Sequence, residues 1–502
     1  MIMKRGTAFR AFLAAATVMA GGVALPELAV AQTTTAQLRG HVTTADGGGA
    51  GVGGIQVSAR NLDTNQTYGA TTDAAGGYTI NGLRPGNYEV TASSNGQTAT
   101  QTAAIGIGQS ASLDLALGAA TAAAEPPAGA DIVVTANRLV EKKTSEVATN
   151  VSLTQIEKLP QTDRNFLSFA ALAPGVRYND SETDKGIQSG ASTASQVNVF
   201  IDGVSLKNKL REGGIAGQQN SRGNPFGQLA VQEFRVLTQN YKAEYEQAGA
   251  AIVTAVTKSG TNQFHGEIFG QYTDKGLAEK DYINKQRGSP EPDFQRKQYG
   301  ISLGGPIIKD KLFFFGAYEG NDQNRAFNVI GGGNAAERAA FELSSGHKLS
   351  EFEGSFVSPF RGDFYFGKLT FTPDSNQTFD LSYSRRQETD IQAFGNQVAF
   401  SAAENKRNTV DTYLFKWTYR GDSFVNEFSA NYLNYDFNPI SLHPDQPQFE
   451  YVPVMTFGGK DSTRHELQQD YTIRDDFTYN GLDNHVFKAG VRVDVTDIVF
   501  DD

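Results

Sequence analysis

The chain has 502 residues, a formal net charge of −11 and no cysteine. The missing thiols exclude disulfides, thiolate metal sites and cysteine nucleophiles, and the scattered basic residues argue against a nucleic-acid partner. Glycine, phenylalanine and tyrosine are plentiful beside a single tryptophan, which suits a β-rich protein with many turns.

Lys4, Arg5 and Arg10 precede the apolar "AFLAAATVMAGGVAL". That core is short for a membrane helix, and Ala29-Val30-Ala31 fits the small-x-small pattern of a cleavage site. A signal peptide over residues 1–31, cut between Ala31 and Gln32, is the expected reading, against a short N-terminal anchor. No later run approaches the ~18 apolar residues of a spanning helix. The exported product is therefore soluble or crosses a membrane as strands.

Residues 36–118 hold short alternating segments, "LRGHVTT", "GIQVSAR", "YTINGL", "NYEVTAS" and "SLDLAL", parted by Gly, Asp, Asn and Pro. This is the pattern of a small β-sandwich. Tyr78, Ile80, Tyr88 and Val90 alternate onto one core face, while Gly76 and Gly86 permit turns. With Asp73, Leu83 and Pro85, these residues resemble the carboxypeptidase regulatory-like (transthyretin-like) domain. The resemblance brings an association with carbohydrate binding, but the visible residues are structural, and a spacer or docking role fits them.

An Ala/Pro/Gly stretch, "GAATAAAEPPAGA", leads into Asp131, Ile132, Val133, Val134 and Thr135. A β-branched strand at the end of a flexible tether suits strand addition to a partner's sheet. It could also be the first strand of the next domain. Residues 141–258 change character: "TSEVATNVSLTQIEKLPQTDRNFLSFAALAPGV" carries helical apolar spacing with a Pro stop. "QVNVFIDGVSL" reads as a strand with an Asp-Gly turn, and Phe200, Ile201, Asp202, Gly203 and Val204 form its centre. Two strands about a polar stretch close the segment.

From residue 262 onward about nine long strands alternate apolar and polar faces. Phe264, Ile268 and Tyr272 oppose His265, Glu267 and Gln271, and Leu369, Phe371, Phe379, Leu381 and Tyr383 oppose Lys368, Thr370, Asp380 and Ser382. Connections alternate between short ("GPIIKDK", "PDSNQ", "RGDS", "NGLDN") and long (274–296, 321–361, 390–407, 438–462). That alternation favours a transmembrane β-barrel over a soluble sandwich, with Tyr272, Tyr318 and Tyr419 at the interfaces.

"DIVVTANR", "LPQTDRNF…LAPGV", "NVFIDGV", "VQEFRV", "AEYEQAGAAIVTAVTKSGTN" and "FHGEIFGQY", in this order, resemble a TonB-dependent outer-membrane receptor, and with the regulatory-like domain its Oar-like branch. The resemblance implies a mainly β chain: a transthyretin-like sandwich, a linker (119–140) whose residues Asp131 to Thr135 are the TonB box, an α/β plug (141–258), and part of a barrel (262–502). It implies a Gram-negative outer membrane, TonB as partner, and an extracellular ligand that could be a siderophore, saccharide, peptide or protein. The family's barrels have 22 strands, so the chain reads as an N-terminal fragment.

The six histidines (His41, His265, His347, His443, His465 and His485) show no ligand spacing, and no nucleophile elbow, phosphate loop or HExxH occurs. No metal, cofactor or catalytic residue is expected. The rival function is a surface structural or adhesion protein whose regulatory-like domain binds glycan or protein.

Overall fold

Three β-sheet bodies follow one another along the chain. The computed structural model describes residues 34–501, apart from 45–49, 95, 119–144, 181–184, 211–213, 219–220, 243, 278, 280–281, 288–292, 462–463 and 483–484.

The first body is a sandwich of β1 (Ala36–Thr44), β2 (Gln56–Asn61), β3 (Thr67–Thr71), β4 (Gly77–Leu83), β5 (Gly86–Ser94), β6 (Gln97–Ile105), β7 (Ser110–Ser112) and β8 (Leu115–Leu117). One sheet has β1 between β4 and the short β7 and β8, and the other runs β3-β2-β5-β6. Alternate residues of both sheets meet in a core that includes Leu38, Val57, Tyr78, Ile80, Tyr88 and Val90. The buried phenols are satisfied: Tyr78 donates to the Leu113 carbonyl and Tyr88 to the Arg84 carbonyl, each at 2.7 Å. Gly76 turns the chain with φ +81, and a Cβ there would lie 2.6 Å from the Val42 carbonyl.

The second body is built from β9 (Val147–Val151), the helix α1 (Leu153–Lys158), β10 (Val176–Asp180), β11 (Lys185–Ser189), β12 (Val197–Ile201), β13 (Val204–Ser205), β14 (Val231–Gln239) and β15 (Ala251–Thr257). Its main sheet runs β13-β12-β15-β14-β9. β12 lies parallel to β15 and the other neighbours are antiparallel. The helical spacing read across 144–176 is realised in smaller pieces. Val147, Thr149 and Val151 pair with β14 as an edge strand, because ladder pairing outweighs weak helix propensity for β-branched residues. A capping box of Ser152 and Gln155 then starts α1, which ends before Pro160. A 3₁₀ turn, Phe166–Leu172, capped by Asn165, buries Phe166, Leu167 and Phe169.

The third body is a ten-stranded antiparallel sheet. Nine strands follow in order: β16 (His265–Asp274), β17 (Phe294–Ile308), β18 (Leu312–Val329), β19 (Gly354–Phe371), β20 (Gln377–Gln392), β21 (Glu404–Arg420), β22 (Phe424–Phe437), β26 (His465–Leu482) and β27 (His485–Asp501). The short β23 (Ile440–Ser441) adds to β21, and β24 (Gln448–Tyr451) pairs with β25 (Met455–Gly458) in a separate hairpin. Short turns at 309–311, 372–376 and 421–423 lie at one end, and long loops at the other.

The faces of this sheet are inverted relative to the sandwich. Leu381 is 56 % exposed while its neighbour Ser382 is 9 % exposed. On β17, Tyr299, Ile301 and Leu303 face out, and Gln298 and Ser302 are buried. Polar residues turn inward onto the plug, and apolar ones turn outward, as lipid requires. Two aromatic belts edge the outer face. Tyr383, Tyr413, Tyr432 and Tyr471 neighbour one another at ring separations of 4.6, 6.2 and 4.7 Å. Nearer the short turns, Phe379 stacks on Trp417 at 6.1 Å and Phe424 on Phe477 at 5.4 Å.

The strands run further than their sequence pattern indicated, so the long loops are shorter. The extensions are held by a second core, in which Val329 meets Phe341, Leu349, Ala399, Val454, Met455 and Phe457. Helix α2 (Tyr282–Arg287) lies in the first long loop, and α3 (Ala335–Ser345) supplies Phe341 to that core.

Candidate functional site: the plug and barrel interface

All nine long strands touch the second body, which fills the concave side of the sheet as a plug. Part of the contact is apolar: Phe226 of the plug sits edge-on to Phe364 of β19 at 4.7 Å, and Leu433, Tyr435 and Phe437 of β22 join the plug core. The rest is polar and concentrated at a few nodes.

The node nearest the long loops clamps plug residues 217 and 221–223. Arg222 donates Nε to Asp390 of β20 at 3.2 Å and Nη2 to Ser358 of β19 at 2.7 Å, and its guanidinium lies 5.6 Å from the Phe360 ring. Asp390 also faces the fully buried Lys406 at 3.8 Å. Glu388 accepts from Ser221 Oγ at 2.7 Å and Asn408 Nδ2 at 2.9 Å, while Asn408 also donates to the Gly217 carbonyl at 2.7 Å. Gly223 passes so close to the Glu388 carboxylate that a Cβ would collide with it. Charges removed from water persist only when paired in this way.

The second node lies nearer the short turns. Phe200 and Ile201 end β12, Asp202 and Gly203 make a tight turn with φ of +50 and +93, and Val204 opens β13. Asp202 accepts from the Thr257 backbone N–H at 2.9 Å and from Lys368 of β19 at 3.1 Å. Lys368 also donates to Thr257 Oγ1 at 2.9 Å. The tip of the plug hairpin is thus pinned to the barrel wall. Phe200 itself is buried against Leu237 and Ile252.

Toward β27, Lys209 donates to Asp470 Oδ1 and Thr496 Oγ1, both at 2.9 Å. Glu244 accepts from Lys488 at 3.4 Å, and Glu246 pairs with Arg492. Burial pushes both plug carboxyls above the ordinary glutamate range, ahead of the opposite pull of Lys488 and Arg492.

The sandwich seats on the short-turn end. Arg84 reaches Asp380 of β20 at 3.2 Å, Arg420 of β21 donates to the Gly82 carbonyl at 2.9 Å, and Asn65 donates to Asp310 at 3.1 Å. Between the three bodies lies a cavity of about 520 Å³ lined by Asp63, Arg84, Asp202, Lys258, Lys368 and Asp380, among others.

Asp131, Ile132, Val133, Val134 and Thr135, and the Ala31–Gln32 bond, lie outside the described residues. The interface residues Arg222, Ser221, Glu388, Asp390, Lys406 and Asn408 were not singled out from sequence. For Glu388, Asp390, Lys406 and Asn408 the one signal was a polar or charged residue at an inward position of a strand with an apolar outward face; Ser221 and Arg222 lie in a loop without such a signal.

An inverted β-sheet wrapped around a mixed-sheet plug is the arrangement of a plugged outer-membrane β-barrel. The comparisons agree: residues 37–118 match the carboxypeptidase regulatory-like domain and residues 256–347 the outer membrane beta barrel domain. The chain is a homologue of the TonB-dependent transporter Oar of Myxococcus xanthus, 28% identical over 232 residues, or 44% of this chain and 21% of that protein. The fold is shared with the outer membrane transporter YddB from Escherichia coli, at TM-score 0.54 and 13% identity over 70% of this chain and 48% of that one. The chain thus spans about a fifth of the curated relative and about half of the solved transporter.

Proposed function

We propose that this chain serves an outer-membrane active transporter energised by TonB, and that it is not an enzyme. In this reading residues 1–31 direct export, with cleavage after Ala31. Residues 36–118 form a periplasmic regulatory-like sandwich, 119–140 a linker bearing the TonB box, 141–258 the plug, and 262–502 barrel strands in outer-membrane lipid. The long loops face outward and the short turns face the periplasm. A ligand (siderophore, saccharide, peptide or protein) binds at the loop end, where it meets the Arg222 node. The periplasmic domain of TonB adds as a strand to Asp131–Thr135, and its pull loosens the plug.

The observation that carries the reading is how the plug is held. Buried ion pairs and hydrogen bonds at Arg222, Asp202 and Lys209 join it to the wall. Such pairs hold firmly while intact, and entering water can take the place of either partner as the plug loosens. Adhesion, the rival, does not require such a plug. The sandwich uses its named residues for its own core and its seat on the barrel, so saccharide binding by it is not part of the reading.

The test uses the cysteine-free background. Ile132→Cys should form a disulfide with a cysteine introduced in the TonB periplasmic domain, and Val133→Pro in the same chain should abolish it. Cross-linking that ignores the proline would sink the reading.

A further inference from the structure

One side chain touches both bodies that flank the linker. Arg235 on β14 is 2 % exposed. Its Nη1 donates to the Gly108 carbonyl at 2.9 Å, in the sandwich turn between β6 and β7, and its Nη2 lies 3.3 Å from the Glu146 carboxylate. Glu146 immediately precedes β9, and its side chain is almost wholly covered, with Lys242 Nζ at 3.7 Å from its other oxygen. Two residues back on β14, the Glu233 carboxylate accepts the Ile107 backbone N–H. The sandwich turn is itself tied down, since Gly106 N–H donates to Gln109 Oε1 at 2.9 Å and Gln37 N–H of β1 to the Gln109 carbonyl at 2.8 Å.

Connectivity gives this arrangement its meaning. The linker leaves the sandwich at Gly118 and enters the plug just before Glu146, so tension on residues 131–135 is passed to both bodies. The plug end begins with β9, a five-residue strand that, among the described residues, pairs with β14 alone. An edge strand has one neighbour, so it is the part of the sheet most readily detached. Losing Glu146 removes a counter-charge from a buried guanidinium, which weakens its environment on the sandwich side as well.

We infer that Arg235 is a positioning residue that clasps the sandwich to the entry strand of the plug, so that β9 and the sandwich turn at 105–109 are released together. The source of the pull rests on the TonB reading above; the coupling does not. It gives the sandwich a part in transport. Seated across the short-turn end, it borders the cavity behind the plug, and it unseats as the plug opens.

Native-state hydrogen exchange of the full chain in detergent micelles, across low urea concentrations, tests the coupling without TonB or ligand. In the unsubstituted chain, amides of 147–151 and of Ile107 should open as one unit, with equal protection and equal urea dependence. Arg235→Lys keeps the charge but cannot span both partners, and should split the unit, with protection of 147–151 falling at least tenfold relative to Ile107. Glu146→Gln should split it likewise, and it carries the test if Arg235→Lys does not fold. A merely structural arginine would lower both protections in step. Separate opening in the unsubstituted chain, or joint opening in the variants, overturns the inference. If the box fails to cross-link to TonB while the exchange units behave as stated, the transport reading fails and the clasp stands.

Discussion

The sandwich and the barrel are made from the same kind of sequence and solve opposite problems. Both alternate apolar and polar residues with period two. In the sandwich, Tyr78, Ile80, Tyr88 and Val90 turn in and their neighbours meet water. In the barrel, Ile301, Leu369 and Leu381 turn out, and Lys368, Glu388 and Lys406 are buried against the plug. The lesson is that alternation encodes a two-faced sheet but not which face is inside. That is decided by the solvent on the far side and by what fills the near side.

The comparison breaks first at the buried charges. Arg222→Met leaves Asp390 without its bidentate partner beside Lys406, and should cost about 3–5 kcal/mol of plug seating. It would be read as a lower urea midpoint with protease cleavage appearing near residues 221–227. A midpoint unchanged from the parent would mean that the node is wet and weak.

A charge on the outer face should be nearly as costly. Leu381→Arg should lose about 2–4 kcal/mol in urea-dependent refolding into phospholipid vesicles, as expected for arginine at bilayer depth. Thr98→Arg, on the exposed face of the sandwich, should stay within ~0.5 kcal/mol. Equal small effects would show that the barrel face is not in lipid.

The pH dependence is subtler. Burial raises the Glu244 carboxyl in the folded chain, so its contribution to stability is full below the unfolded glutamate pKa, near about 4.3, and is lost as pH rises through the higher folded value. The Tm in detergent should fall across that window, and Glu244→Gln should flatten the slope. A parent Tm that rises there would reverse the assignment.

The smallest effect belongs to the sandwich surface. Arg60 and Glu89 pair at 2.9 Å but remain 44 % and 37 % exposed. Arg60→Met should change stability by about 0.5 kcal/mol or less, because water and salt screen the pair and its side chains resist ordering. Set beside Arg222 and Asp390, it isolates burial as the variable.

Much of this architecture is legible in the residue pattern alone. The sandwich core is readable because Tyr78, Ile80, Tyr88 and Val90 lie on neighbouring strands joined by Gly- and Pro-bearing turns. The Asp202-Gly203 turn is readable because few residues adopt positive φ there. The helical reading of 144–176 fails in part, since Val147–Val151 takes its conformation from β14, more than eighty residues on. The extended strands around 321–329 and 354–361 read as loop because their outer ends pack on a local aromatic core instead of lipid, and so lose the simple alternation.

By itself, then, the sequence determined the elements that depend on neighbours: the strand periods, the turns, the short sandwich and the order of the three bodies. Tertiary structure decided the pairings that carry the proposed work: Asp202 with Lys368, Arg222 with Asp390, and Arg235 between Gly108 and Glu146. Their partners lie tens to well over a hundred residues apart. The energy of a buried charge depends on the one group that faces it across the interface, and no local pattern records which group that will be.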